Sequence, residues 1–175
     1  MTGIITISVL LKQGYFILLK CGIILLLLSN MPANAQEMPP RPVLLSTVQN
    51  LSFGAFYQGT GGTVIISSGG ARSYTGDIVL VEMGYSYFQT IIEVDAIPGT
   101  IISITNGPDI NLSDGSGHLM NLHIGASNPV SPFVTTAIPP AKTQVNIGGT
   151  LTVGDPVTNP PGSYNGVFFI TFNQE

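Results

Sequence analysis

The chain is poor in almost every residue type that carries chemistry. Its 175 residues include one cysteine, two histidines, no tryptophan, five bases and nine acids. The cysteine, Cys21, falls in a leader stretch, so the rest of the chain can form no internal disulfide and offers no thiolate nucleophile. Three bases (Arg41, Arg72, Lys142) against nine acids follow residue 35, a balance that excludes nucleic acid as a natural partner. No Gly-x-Ser-x-Gly elbow occurs, and no helix is expected to follow one. After residue 35 no window places apolar residues at i, i+3, i+4 and i+7, so amphipathic helices are not expected.

What is present begins with a leader. Lys12 and Lys20 supply positive charge, Cys21–Leu28 is a short apolar run, and Ala33-Asn34-Ala35 is a small-x-small cleavage pattern. Residues 1–35 are therefore expected to be a cleaved signal peptide, so the protein is expected to leave the cytoplasm. A spanning helix needs roughly 20 uninterrupted apolar residues, and the two lysines break the stretch; no membrane span is expected after cleavage. Residues 36–42 hold Pro39, Pro40 and Pro42, a stiff tether that cannot donate to a ladder.

Residues 43–175 read as a single β domain. Short apolar or alternating runs are expected as strands at 43–48, 51–56, 63–67, 77–82, 85–95, 100–105, 119–124, 143–147, 151–153 and 167–173. Turn-forming glycine and proline clusters separate them. Gly59-Thr60-Gly61-Gly62 and Gly148-Gly149 are expected to be turns, the second a tight hairpin. The last strand alternates Phe168, Ile170 and Phe172 against Val167, Phe169, Thr171 and Asn173, so one face is apolar. Before it, Gly162, Tyr164 and Gly166 read as a structural corner whose phenol bonds nearby backbone. The expectation is an all-β, immunoglobulin-like antiparallel sandwich of about eight strands.

The residues Leu51-Ser52-Phe53-Gly54, Gly62–Ser67, Gly70–Ser73 with Gly76, Gly148–Val153 and Gly162–Phe168 form an ordered set of motifs. They resemble a bacterial secreted family known as domain of unknown function 4402. The resemblance covers about Leu51 to Phe172. It implies a fimbrial-type sandwich exported to the periplasm, surface or surroundings of a bacterium, similar to spore-coat U and pilus subunit domains, without an assigned enzyme activity. Pilus subunits often carry a tyrosine next to last; this chain has Gln174.

No set of side chains completes a catalytic or metal centre, so no catalytic residue, cofactor or metal is expected. Glu93 and Asp95 share a strand face, but alternation puts that face in water, where paired carboxylates do not split their pKa values. His118 and His123 are an odd number apart and point to opposite faces. Asp109, Asn111, Ser113 and Asp114 faintly resemble a calcium loop, yet Asp114 takes the place of the required glycine and Met120 that of the bidentate glutamate.

Two functions from different classes remain. One is a structural or adhesive surface protein that joins other proteins, including copies of itself, by β-strand addition. Its candidate donor strand is Val43, Leu45 and Val48, and its acceptor a sheet edge near the C-terminal strand. The other is a monomeric polysaccharide-binding module that uses an outward strip of Tyr85, Tyr87 and Gln89. An inert coat domain, with residues 43–50 paired in their own sheet, is the bland version of the first.

Overall fold

The structure, a computed structural model, describes residues 41–175. The expected signal peptide, and all of the proline leader but Arg41 and Pro42, lie outside the described residues. Among the described residues there are twelve strands and no helix, and every strand pair is antiparallel.

The main sheet is organised around β11 (Thr143–Val153). One edge of β11 pairs first with β6 (Thr90–Asp95) along Thr143–Ile147, then with β3 (Ala55–Ile66) along Gly149–Val153. Its other edge pairs with β9 (Leu119–Asn128). Beyond β6 lies β1 (Leu44–Gln49), beyond β3 lies β4 (Arg72–Val81), and β9 also holds β8 (Ile110–Ser113). Because one strand serves two neighbours on the same edge, the sheet must curl. A second sheet of β10 (Phe133–Val134), β7 (Ile101–Asn106) and β12 (Ile170–Gln174) faces it, and β2 (Ser52–Phe53) with β5 (Tyr87–Phe88) forms a separate ribbon.

The core follows from alternation. In β6 the buried positions are Thr90, Ile92 and Val94, while Ile91, Glu93 and Asp95 are half-buried on the other phase. In β9, Met120, Leu122 and Ile124 are buried between exposed residues. Val145, Ile147, Leu151 and Val153 of β11 meet them, and Ile102 of β7 and Phe133 of β10 close the cluster from the second sheet. Full burial of each such aliphatic side chain stabilises by about 1.5–3 kcal/mol, which is how a chain without disulfides holds an antiparallel β-sandwich.

The number of strands exceeds the expected eight or so because the expected runs 51–56 and 85–95 each break in two, setting off the two-residue β2 and β5, and because β8 and the two-residue β10 fall where no strand is expected. The two glycine clusters are corrections. Gly148-Gly149 is not a hairpin; β11 runs straight through it. A side chain at Gly148 would strike the Ile66 carbonyl, so the glycine is there to let β3 approach. Gly59–Gly62 lies inside β3, not in a turn. The register slips between Gln58 and Gly61, a bulge that Asp77 fills by accepting the Thr60 N–H at 3.0 Å. The expected strand 85–95 breaks at Gln89, and Phe88 is exposed.

Candidate functional site

The C-terminal strand is placed by bonds to its preceding segment as much as by its own ladder. Asn165 exchanges two backbone hydrogen bonds with Ser113 at 2.9 Å, and Phe169 accepts one from Gly107, so residues 165–169 run beside β8 and the start of the β7–β8 connection. From Ile170 onward the chain pairs with β7. Successive residues in an extended chain turn their polar groups to opposite edges. Since Asn165 and Phe169 face β8 and β7, the backbone groups of Tyr164, Gly166 and Phe168 face the other way. Among the described residues they have no backbone partner.

Side chains alternate here too. Phe168, Ile170 and Phe172 pack on the core, and Val167 and Phe169 are each 73% exposed. Yet the inward three are only half-buried, unlike the residues of β11. A groove of about 1010 Å³ runs beside the first of them, Phe168. One wall is Pro160–Phe168; the other is Gln49–Gln58 with Gly84–Ser86 and Phe88; the floor is Leu112, Met120, Leu122 and Leu151. All four floor residues belong to the core itself, so the groove is an unfilled margin of the sandwich. Among the described residues no Asp, Glu, Lys, Arg or His lines it.

The corner that ends the first wall is tightly built. The Tyr164 hydroxyl donates to the Pro160 carbonyl at 2.9 Å, and burial holds its pKa above the ordinary phenol value. A side chain on Gly166 would lie 2.7 Å from Leu112, so glycine brings this wall down onto the floor. The buried Asn159 ties the same turn to Gly154 and Leu119 through its amide; its role is not apparent from sequence, where it reads as one more loop residue.

The candidate donor strand is held inside its own chain. β1 pairs with β6 from Leu44↔Asp95 to Gln49↔Ile91; Val43 packs on the core, and Leu45 and Val48 are exposed. The tyrosine strip is divided. Tyr85 is 71% exposed on the groove rim, but Arg72 lies 5.2 Å from the ring centre of Tyr87 and donates to the Ala55 carbonyl. Gln89 lies over Gly70. Arg72 thus helps to hold β5 in place, and burial lowers its pKa.

The remaining polar residues are engaged locally. Glu93 binds Lys142 at 2.9 Å and Asp95 lies 3.8 Å from Arg41. His118 pairs with Asp114 at 2.6 Å and His123 with Asp109 at 2.7 Å. The His118 hydrogen bond and the backbone N–H groups of Ser116 and His118 hold the Asp114 carboxyl below its usual range. Among the described residues no group of three or more His, Cys, Asp or Glu comes together as a metal site.

No curated protein and no solved structure matches this chain. A family model described as Domain of unknown function (DUF4402) matches residues 43–173, from the first strand of the sandwich through its last, and the chain belongs to that family.

Proposed function

We propose that this is a non-enzymatic structural or adhesive protein of the cell surface, exported and then joined to another polypeptide that lays an extended segment into the groove. The observation that carries the reading is the conjunction of an apolar floor with the unpaired backbone of Tyr164, Gly166 and Phe168 along one wall. An extended segment satisfies both at once: its amides complete the ladder and its alternate side chains fill the floor. A small ligand would leave the ladder open. The uncharged lining favours an uncharged segment, because burying a charge without a partner is costly. A donor made of Val43, Leu45 and Val48 would first have to leave β6, so the reading concerns the acceptor. Polysaccharide binding is less well supported, since Tyr87 and Gln89 are engaged within the fold and only Tyr85 of the strip is free.

The test is binding of a panel of uncharged seven-residue peptides, alternating Val or Ile with Ser or Thr and carrying a lysine tail, followed by fluorescence anisotropy. At least one peptide should bind, and Phe168→Asp should abolish binding, while Val134→Asp on the exposed face of β10 leaves it intact. If none binds, or if Phe168→Asp binds equally well, the groove is not an acceptor.

A further inference from the structure

The other margin of the main sheet, far along the ladder from β11, ends in β1. Its outer edge has no partner among the described residues. Exposed edges are normally guarded by charge, proline or a bulge that bends them away. The opposite edge strand, β4, has such guards: it carries Arg72 and Asp77 and bends at the bulge opposite Gln58 and Gly61. β1 has none through Leu44–Thr47. That stretch contains no charged residue, glycine or proline, and its only irregularity comes after Thr47. Leu44 is 56% exposed and Leu45 47% exposed. Leu45 sits opposite the buried Val94, on the core side of the sheet, so its exposure means that the interior is open at this margin.

Charge distinguishes this edge from the rest of the surface. The described residues carry eight acids and three bases. Two of those bases, Arg41 and Lys142, are at the β1–β6 margin, where they meet Asp95 and Glu93; Lys142 Nζ also lies 3.5 Å from the Ser46 hydroxyl. The margin is locally neutral. Elsewhere among the described residues six acids stand against Arg72 alone, so this margin lacks the net negative charge that the rest carries and that opposes contact between copies.

From the bare edge, the half-covered Leu45 and this neutrality together, we infer that β1 is the seat of a symmetric contact between two copies of this chain. The two β1 strands pair antiparallel, and the main sheets of the two copies become continuous. A two-fold axis through Leu45 places Leu45 of each copy against the other on the core side, Leu44 opposite Ser46 on the outer side, and Val43 opposite Thr47. Directly opposed residues of an antiparallel pair share a face, so this register keeps apolar side chains on the core side in both copies. A slip by one residue would reverse every side chain. The contact is independent of the groove and holds whether or not the groove takes a partner strand.

Sedimentation velocity of the purified full-length protein tests it, with Cys21→Ser as the common background. The parent should move from monomer to dimer as concentration rises, with little loss of dimer at high salt because the ion pairs lie within each copy. Leu45→Lys and Ser46→Lys should each reduce dimerisation at least tenfold, with unchanged circular dichroism. Leu45→Cys should form a covalent dimer on mild oxidation, since paired strands bring the two sulfurs within bonding reach. A parent that stays monomeric up to its solubility limit overturns the inference, as does a dimer that withstands both lysine variants or a Leu45→Cys protein that does not cross-link. Peptide binding in the groove should be the same in all of these variants.

Discussion

The centre of the main sheet and the C-terminal margin are built from the same alternation and end in different states. Along β11, Val145 is fully buried and Ile147, Leu151 and Val153 are within a few per cent of it. Along the last strand, Phe168, Ile170 and Phe172 obey the same period and stay half-buried. Period decides which face of a strand is apolar; only a neighbour on each edge decides whether that face is covered. Among the described residues β11 has neighbours on both edges, and β12 on one. The difference marks the C-terminal margin as open, and the groove lies where that margin begins, at Phe168.

Substitutions at the two places sharpen the contrast. Ile147→Ala removes a side chain that its neighbours cannot replace and should cost about 2–5 kcal/mol in denaturant unfolding. Gly148→Ala adds a methyl against the Ile66 carbonyl, and the strain of parting β3 from β11 should cost about 1–3 kcal/mol. Phe168→Ala removes the largest side chain of the three yet should cost less than about 2 kcal/mol, because part of its surface is already in water. If Phe168→Ala proves as damaging as Ile147→Ala, the margin is as closed as the centre and the comparison breaks.

The smallest effect lies in the β8–β9 turn, near the groove floor. Asp114 has its folded pKa depressed, chiefly by His118. Its contribution to stability is therefore fully present above the unfolded carboxylate value of about 3.9 and is lost as pH falls through the lower folded value. Asp114→Asn should flatten the acid limb of a stability–pH curve and barely change the curve near neutrality. An acid limb identical to that of the parent would remove the role given to this pair.

Much of the sandwich was legible because its strands alternate strongly. Thr90, Ile92 and Val94, or Met120, Leu122 and Ile124, announce their faces without any help from the rest of the chain. Glycine misled the reading where it mattered most. Gly148-Gly149 and Gly59–Gly62 have the composition of turns, but their use is steric: they admit a neighbouring strand or carry a bulge, and the cause lies in Ile66 and Asp77, distant in sequence. The groove was legible only as a terminal strand with an apolar face. Its walls come from segments around residues 50, 85 and 165 and its floor from three other strands, so no local window contains it. The tyrosine strip misses Arg72 for the same reason: the pairing of Phe53 with Tyr87 brings β5 beside it, and that pairing is two residues long.

Residue-resolved hydrogen exchange along Tyr164–Phe169, compared with β11, tests the open margin most directly. The amides of Tyr164, Gly166 and Phe168 should exchange orders of magnitude faster than those of β11, with Asn165, bonded to Ser113, standing out as protected between fast neighbours. Uniform protection from Tyr164 to Phe168, equal to that of β11, would mean that this edge is already paired and the sandwich has no vacancy to fill.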